Sequence, residues 1–426
     1  MKILLLGSGG REHAFAWKLF QSPQLSKLYI APGNAGTSQL GTNVDLRLDD
    51  FPSIEKFAVE NNIDMLVVGP EDPLVNGIHD YFLSRVTLRH IPVIGPKQDG
   101  ARLEGSKDFS KAFMVKYGVP TAQAKTFDKA SLAEGLAFLE TMKPPYVLKA
   151  DGLAAGKGVI IPETLEEARK ELIAMLNHEK FGKASARVLI EEFMKGIELS
   201  VFVISDGHSY KLLPSAKDYK RIGEGDKGLN TGGMGAVSPV PFADSTFMRK
   251  VEDQIVIPTI EGLKKEGITY KGFIFIGLMN VDGEPKVIEY NCRMGDPETE
   301  VVLPRLDTDL VDIFKAIANS TLGQLELKLK SEIAATVMLV AGGYPENYEK
   351  GNTITGLEKV KDALVFHAGT KQKEENVVTN GGRIIAITSL GDSIQDAVSK
   401  SLSVAHVIDY EGKYYRRDIG KDLTKS

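Results

Sequence analysis

Glu289, Asn291 and Arg293 alternate with Tyr290 and Cys292 near the end of a hydrophobic run. In an extended chain every second side chain shares a face, so these three point together while Ile288 and Tyr290 turn into packing. A carboxylate beside an amide oxygen offers hard ligands suited to magnesium, which leaves its other positions to phosphate and water. An arginine next to them can neutralise charge on a transferring phosphoryl group. The turn that follows, Gly295-Asp296-Pro297-Glu298, returns more carboxylates to the same edge. A solvated polar strand face would explain any one of these residues, but not the mixture.

A second group surrounds a glycine-rich loop. Lys149, Gly152, Gly156, Lys157 and Gly158 lie close together, yet only three residues separate Gly152 from Gly156. Gly158 also stands where a Walker loop needs Ser or Thr for its metal, so this is not a P-loop. A glycine loop between two strands, with a lysine at each end, can instead fold over a triphosphate. Farther on, Glu191, Glu192, Phe193 and Met194 end an apolar run, and Glu198 follows seven residues after Glu191. A strand end here can pair with an adenine edge, with Phe193 or Met194 beneath the ring and Glu198 accepting ribose hydroxyls. Near the N-terminus, Gly7 and Gly9 begin a dinucleotide fingerprint, but its third glycine is replaced by Glu12. That argues against a nicotinamide cofactor and for a simple phosphate pocket at the Gly9-Gly10 turn. The seven histidines have no metal-binding spacing, and neither a Gly-x-Ser-x-Gly elbow nor an HExxH is present.

The elements that must hold these groups fall into blocks. Short apolar runs at 3–6, 28–31, 65–68 and 93–94, each followed by Gly or Pro and most by a helical pattern, predict a parallel α/β sheet over 1–105. Ligands bind beyond the C-terminal strand ends of such sheets, and those ends carry Gly9, Gly10 and Asn34. A linker helix spans 106–122. Residues 123–192 form a small α+β piece, too small for a self-sufficient core and therefore read as a mobile lid. Within it, Thr164 and Glu167 make a capping box that opens a helix. Residues 193–326 carry two predicted hairpins turning at 206–207 and 282–283. A smaller C-terminal domain, 327–426, alternates strands and helices again. The fold class is thus mixed: α/β and α+β domains in one multidomain chain.

Composition closes off other classes. Fifty-two Lys and Arg against 57 Asp and Glu give a net charge of −5, without the basic excess of a nucleic-acid binder. The one cysteine, Cys292, excludes an intrachain disulfide and a cysteine-clustered zinc site. The N-terminal apolar run is too short for a signal peptide and no long one follows, so a cytoplasmic protein without membrane contact is expected. Forty-two glycines in 426 residues exceed the usual ~7%, and they cluster, several beside lysines, which favours phosphate handling.

Together these motifs resemble the ATP-grasp superfamily and, within it, the glycinamide ribonucleotide synthetases. The likeness runs through residues 9–14, 31–37, 68–75, 103–107, 149–159, 230–236, 289–299, 342–345, 366–370 and 380–383. It implies a Rossmann-like N-terminal domain, an ATP-grasp core with a small lid, and ligation of glycine to 5-phosphoribosylamine with ATP giving ADP and phosphate. Glycyl phosphate would be the intermediate, and the pathway purine synthesis. The resemblance makes Lys107 and Lys149 phosphate-facing, residues 151–158 the lid loop, and 191–198 the adenine and ribose hinge. Glu289 and Asn291 match metal ligands for Mg²⁺ or Mn²⁺, and Arg293 the catalytic charge stabiliser. Gly9, Gly10 and Asn34 would hold the sugar phosphate, with Asp218, Lys220, Arg221, Gly295 and Asp296 as further substrate contacts. Tyr219, Leu229 and Val237 depart from the family pattern, and Gly277-Leu278-Met279 lacks the carboxylate that often supplies a first metal ligand. A monofunctional monomer is expected, acting on small molecules only; another ATP-grasp acid–amine ligase or a carboxylase is the alternative.

Overall fold

The computed structural model describes residues 1–153, 158–178 and 180–424. The first strand, Lys2–Gly7, lies at the centre of a five-stranded parallel sheet between Lys27–Pro32 and Met65–Val68. The short strands Thr42–Asn43 and Val93–Ile94 complete its edges. Ile3, Leu4, Leu5 and Leu6 are all buried, because both faces of this sheet are covered. The helix Gly10–Phe20 leaves the first strand directly and carries Arg11 and Glu12 on its first turn.

The lid region builds its own antiparallel sheet of four strands in which Arg187–Glu192 lies between Ala124–Asp128 and Tyr146–Ala150. Leu165–Asn177 packs on it, opened by the Thr164–Glu167 capping box. Gly156 and Lys157 lie outside the described residues. The second, larger antiparallel sheet pairs Ile197–Asp206 with Lys271–Val281, and the latter with Glu284–Asn291. A bulge interrupts the last pairing: Gly277 faces Glu289 while Leu278 faces Val287, so Ile288 has no partner.

A third sheet crosses the boundary expected at 326/327. Its strands Lys217–Asp218 and Gly235–Ser238 come from the central region, and Ile333–Val340, Leu364–His367 and Arg383–Gly391 from the C-terminal part. The segment bearing Asp218 and Lys220 is thereby fixed to the C-terminal domain. Among the described residues no helix is long and apolar enough to cross a membrane.

Candidate active site

The sheets converge on a cavity of about 430 Å³. Of the residues expected at a site, Lys149, Gly158 and Glu191 line it from the 123–192 region, Lys107 from the linker helix and Glu198 from the central sheet. Asp218, Lys220, Glu289, Asn291, Arg293 and Asp296 line it from the central sheet and its loops. Glu192, Phe193, Met194, Gly9, Gly10, Asn34, Arg221 and Gly295 do not line it.

Arg293 lies two residues beyond its strand, and its guanidinium is held from two other elements. Its Nε donates to Glu71 at 3.0 Å and its Nη2 to Glu104 at 2.7 Å. Burial opposes the charge, but Glu104 and Glu71 outweigh it and raise the arginine's pKa. Glu104 also accepts the Cys292 N–H at 2.8 Å, tying backbone and side chain to one carboxylate. Burial raises the pKa of Glu71 in turn, but Arg293 and Arg11 bring it down to about 2.

Glu191 lies in the expected adenine hinge, but its side chain turns away from the strand end: it is buried between two lysines, Lys149 at 2.6 Å and Lys111 at 2.9 Å, and orients both ammonium groups. The Lys149 Nζ also donates to the Ile288 carbonyl at 3.3 Å. Ile288 was expected in packing; the bulge resets the alternation and leaves it on the cavity wall. The Glu192 N–H donates to Gln123 at 3.0 Å, so that backbone group is already paired. Glu198 is ion-paired with Lys220 at 2.5 Å. Lys107 is shifted downward by burial, partly opposed by Glu289.

The N-terminal turn also differs from the expected phosphate pocket. The Gly9 N–H donates to Glu12 at 2.7 Å, and the Arg11 N–H reaches Asp296 at 3.4 Å. The protein's own carboxylates thus occupy this helix start. Glu12, which replaces the third glycine of the fingerprint, fills the space beside Gly7 and Gly69: a Cβ on Gly69 would stand 2.2 Å from its Oε1. Asn34 has no hydrogen-bonding capacity left. Its Nδ2 donates to the Ser8 and His367 carbonyls at 2.9 and 2.7 Å, and its Oδ1 accepts from the Gly36 and Thr37 N–H groups. Arg221 donates to the Gly228 carbonyl at 2.9 Å, and Gly295 makes room for the Glu298 carboxyl.

Glu71, Glu104, Arg11, Lys111, Glu298 and Arg383 line the cavity without having been singled out. Five of them sit inside motifs already noted; only their partners, distant in sequence, distinguish them. Arg383 shows why: it reaches from the C-terminal domain to Asp296 at 2.9 Å and donates to the Gly232 carbonyl at 2.7 Å. Of the departures, Tyr219 is buried and donates to Asp422 at 2.6 Å, Leu229 is exposed, and Val237 lies in the core of the third sheet.

Asn291 and Glu289 fit a cation. The buried Asn291 Nδ2 has no hydrogen-bond partner, and turning the amide would put its oxygen there instead. Glu289 makes no ion pair among the described residues. Those residues contain no cluster of three or more His, Cys, Asp or Glu able to hold a metal, so the donor set suits an ion that takes few protein ligands.

The phosphoribosylglycinamide synthetase N domain matches residues 1–104, its ATP-grasp (A) domain 105–299 and its C domain 334–422. The chain belongs to this family. It is 44% identical to the phosphoribosylamine–glycine ligase of Pasteurella multocida, over 99% of this chain and 97% of that protein. It is 45% identical over 98% of its length to a bifunctional purine biosynthetic protein of Schizosaccharomyces pombe, of which the match covers 53%. The crystal structure of the phosphoribosylamine–glycine ligase from Thermotoga maritima superposes with a TM-score of 0.85 at 36% identity, covering 98% of this chain and all of that one, 100%. N5-carboxyaminoimidazole ribonucleotide synthetase from Thermus thermophilus, TM-score 0.64 at 18% identity over 95% of this chain and 98% of its own, shares the fold. The synthetase family's three domains therefore account for the α/β and α+β architecture and for the ATP-grasp core.

Proposed function

We propose that the chain joins glycine to 5-phosphoribosylamine, cleaving ATP to ADP and phosphate, a step of purine biosynthesis. The observation that carries this reading is the match of all three synthetase domains along the chain, with the cavity where they meet.

In the mechanism we infer, Lys107 and Lys149 hold the ATP phosphates, and Glu191 with Lys111 fixes the direction of Lys149. Glu198 releases Lys220 to accept the ribose hydroxyls. The glycine carboxylate attacks the γ-phosphorus, giving glycyl phosphate and ADP. Two anions must approach for this, so positive charge in a site shielded from water lowers the barrier. Arg293 supplies that charge, held in place by Glu71 and Glu104. The amine of phosphoribosylamine then displaces phosphate. Glu289 and Asn291 would hold Mg²⁺ or Mn²⁺, which when bound supplies charge neutralisation on the phosphates. Asp218, Lys220 and Asp296 face the substrate end of the cavity. The reading is that of a cytoplasmic monomer acting on small molecules.

The test is ADP release from purified protein with magnesium-ATP, phosphoribosylamine generated in situ, and glycine supplied or omitted. ADP that depends on both substrates is expected. AMP and pyrophosphate would overturn the reaction type, and ADP indifferent to glycine would return the acid substrate to other ATP-grasp ligases.

A further inference from the structure

Amide formation leaves a proton to place. As the amine nitrogen bonds to the glycyl carbonyl carbon, the C–O bond to phosphate breaks and its electron pair departs with phosphate. The nitrogen would remain cationic unless one N–H proton is removed. Most carboxylates in the cavity are already engaged. Glu191 is locked between two lysines, Glu71 and Glu104 hold Arg293, Asp296 pairs with Arg383, and Glu198 and Asp218 face Lys220. Glu289 belongs to the proposed metal pair. Glu298 remains.

We propose that Glu298 is the catalytic base of the second half-reaction, taking that proton from the phosphoribosylamine nitrogen. It lines the same cavity as Arg293 and Glu289 and is only 3% exposed. One carboxyl oxygen accepts the Ser200 hydroxyl at 3.1 Å, which fixes its direction. The other has no hydrogen-bond partner among the described residues and lies where a Cβ on Gly295 would stand, at 2.3 Å. The bare backbone at Gly295 is therefore what lets this carboxyl sit in the wall. The groups around it come from three other elements: Ser200, Asp218 with Lys220, and Arg383 from the C-terminal domain. Burial and the like charge of Asp218 push Glu298 up to about 7, with Lys220 opposing. A carboxyl balanced near neutrality is matched to receiving a proton and returning it to water.

The proposal rests on the glycyl-phosphate reading, and hydroxylamine separates the two. Trapping glycyl phosphate as glycine hydroxamate, with glycine and magnesium-ATP but no phosphoribosylamine, reports the first half-reaction alone. Glu298→Gln should keep hydroxamate formation and the KM for glycine within about twofold of the parent, yet lower kcat for glycinamide ribonucleotide roughly 10²–10⁴-fold. In the parent enzyme kcat should rise with pH through an apparent pKa near 7, a limb absent from the variant. Glu298→Asp, which keeps a base on a shorter arm, should recover part of the rate and restore the limb. Equal loss of hydroxamate and amide would overturn the proposal, as would a raised KM for glycine with kcat intact, the mark of an amine anchor. An unchanged kcat would do the same. No hydroxamate from the parent enzyme would remove the intermediate itself, and the proposal with it.

Discussion

At the scale of single residues the central question is how a guanidinium tied to two carboxylates would serve the proposed phosphoryl transfer. Nε and Nη2 of Arg293 are engaged by Glu71 and Glu104, whereas Nη1 reaches only the Met294 carbonyl at 3.5 Å. The clamp thus leaves one edge for a ligand and removes the freedom to turn away from it. Arg293→Ala should lower kcat roughly 10²–10³-fold while the KM for ATP changes far less, since the charge matters most as the transition state forms. The same change strands Glu104 as a buried charge, so unfolding should also move by about 3–5 kcal/mol. Steady-state kinetics and denaturant titration read the two separately; a rise confined to the KM for ATP would mean a binding role. Asn291→Ala should raise the magnesium concentration needed for half-maximal activity, and an unchanged titration would remove Asn291 from the metal pair. The place of Arg293 and Asn291 on the cavity wall was legible because each stands in a dense local motif. Glu191 was legible only as a cavity residue, since its lysine partners stand 42 positions away on an adjacent strand and 80 positions away on the linker helix, far beyond what spacing reveals.

At the scale of elements, periodicity located most strands and helices, including Arg187–Glu192 and the capped helix Leu165–Asn177. It missed the bulge at Ile288, because an extra residue on one strand is defined by its partner and not by its own sequence. It also missed how the linker helix Lys107–Lys116 works. That helix lays Lys111 against Glu191 and Lys107 beside the lid loop, where the Lys107 Nζ donates to the Gly152 carbonyl at 3.3 Å. Glu191 divides its charge between Lys111 and Lys149, and both lysines together outweigh its burial to lower its pKa. Lys111→Met would leave the carboxylate to Lys149 alone, neutralising more of the charge that the proposed mechanism gives to phosphate. The KM for ATP should rise up to roughly tenfold, an effect of about 1.4 kcal/mol, with a smaller change in kcat. An unaltered KM for ATP would show that Lys149 does not depend on this relay.

At the scale of the whole molecule, the N- and C-terminal domains meet far from one another in sequence, and no local pattern announces the contact. Asn34 shows this well: as a glycine-flanked loop residue it reads as a ligand, whereas its amide actually joins Ser8 to the His367 carbonyl across 333 positions. His13 receives the His367 N–H at 2.7 Å, and the two rings lie 5.6 Å apart, with Phe366 edge-on to His13. Burial and the neighbouring His367 lower His13 from 6.5 to about 3, and burial lowers His367 to about 4. Both rings are therefore neutral in the folded protein, while the unfolded chain gains protons below its ordinary value. Between about pH 6.5 and pH 3–4 the unfolded state binds more protons, so stability rises with pH across that window and the histidine contribution is flat above it. His367→Leu keeps the backbone contacts to Asn34 and His13 but removes one titrating ring. Its unfolding free energy, followed by urea titration from pH 4.5 to 7.5, should depend less steeply on pH than that of the parent. Equal slopes would place the acid sensitivity in the carboxylates around the cavity, and not in the joint between the two domains.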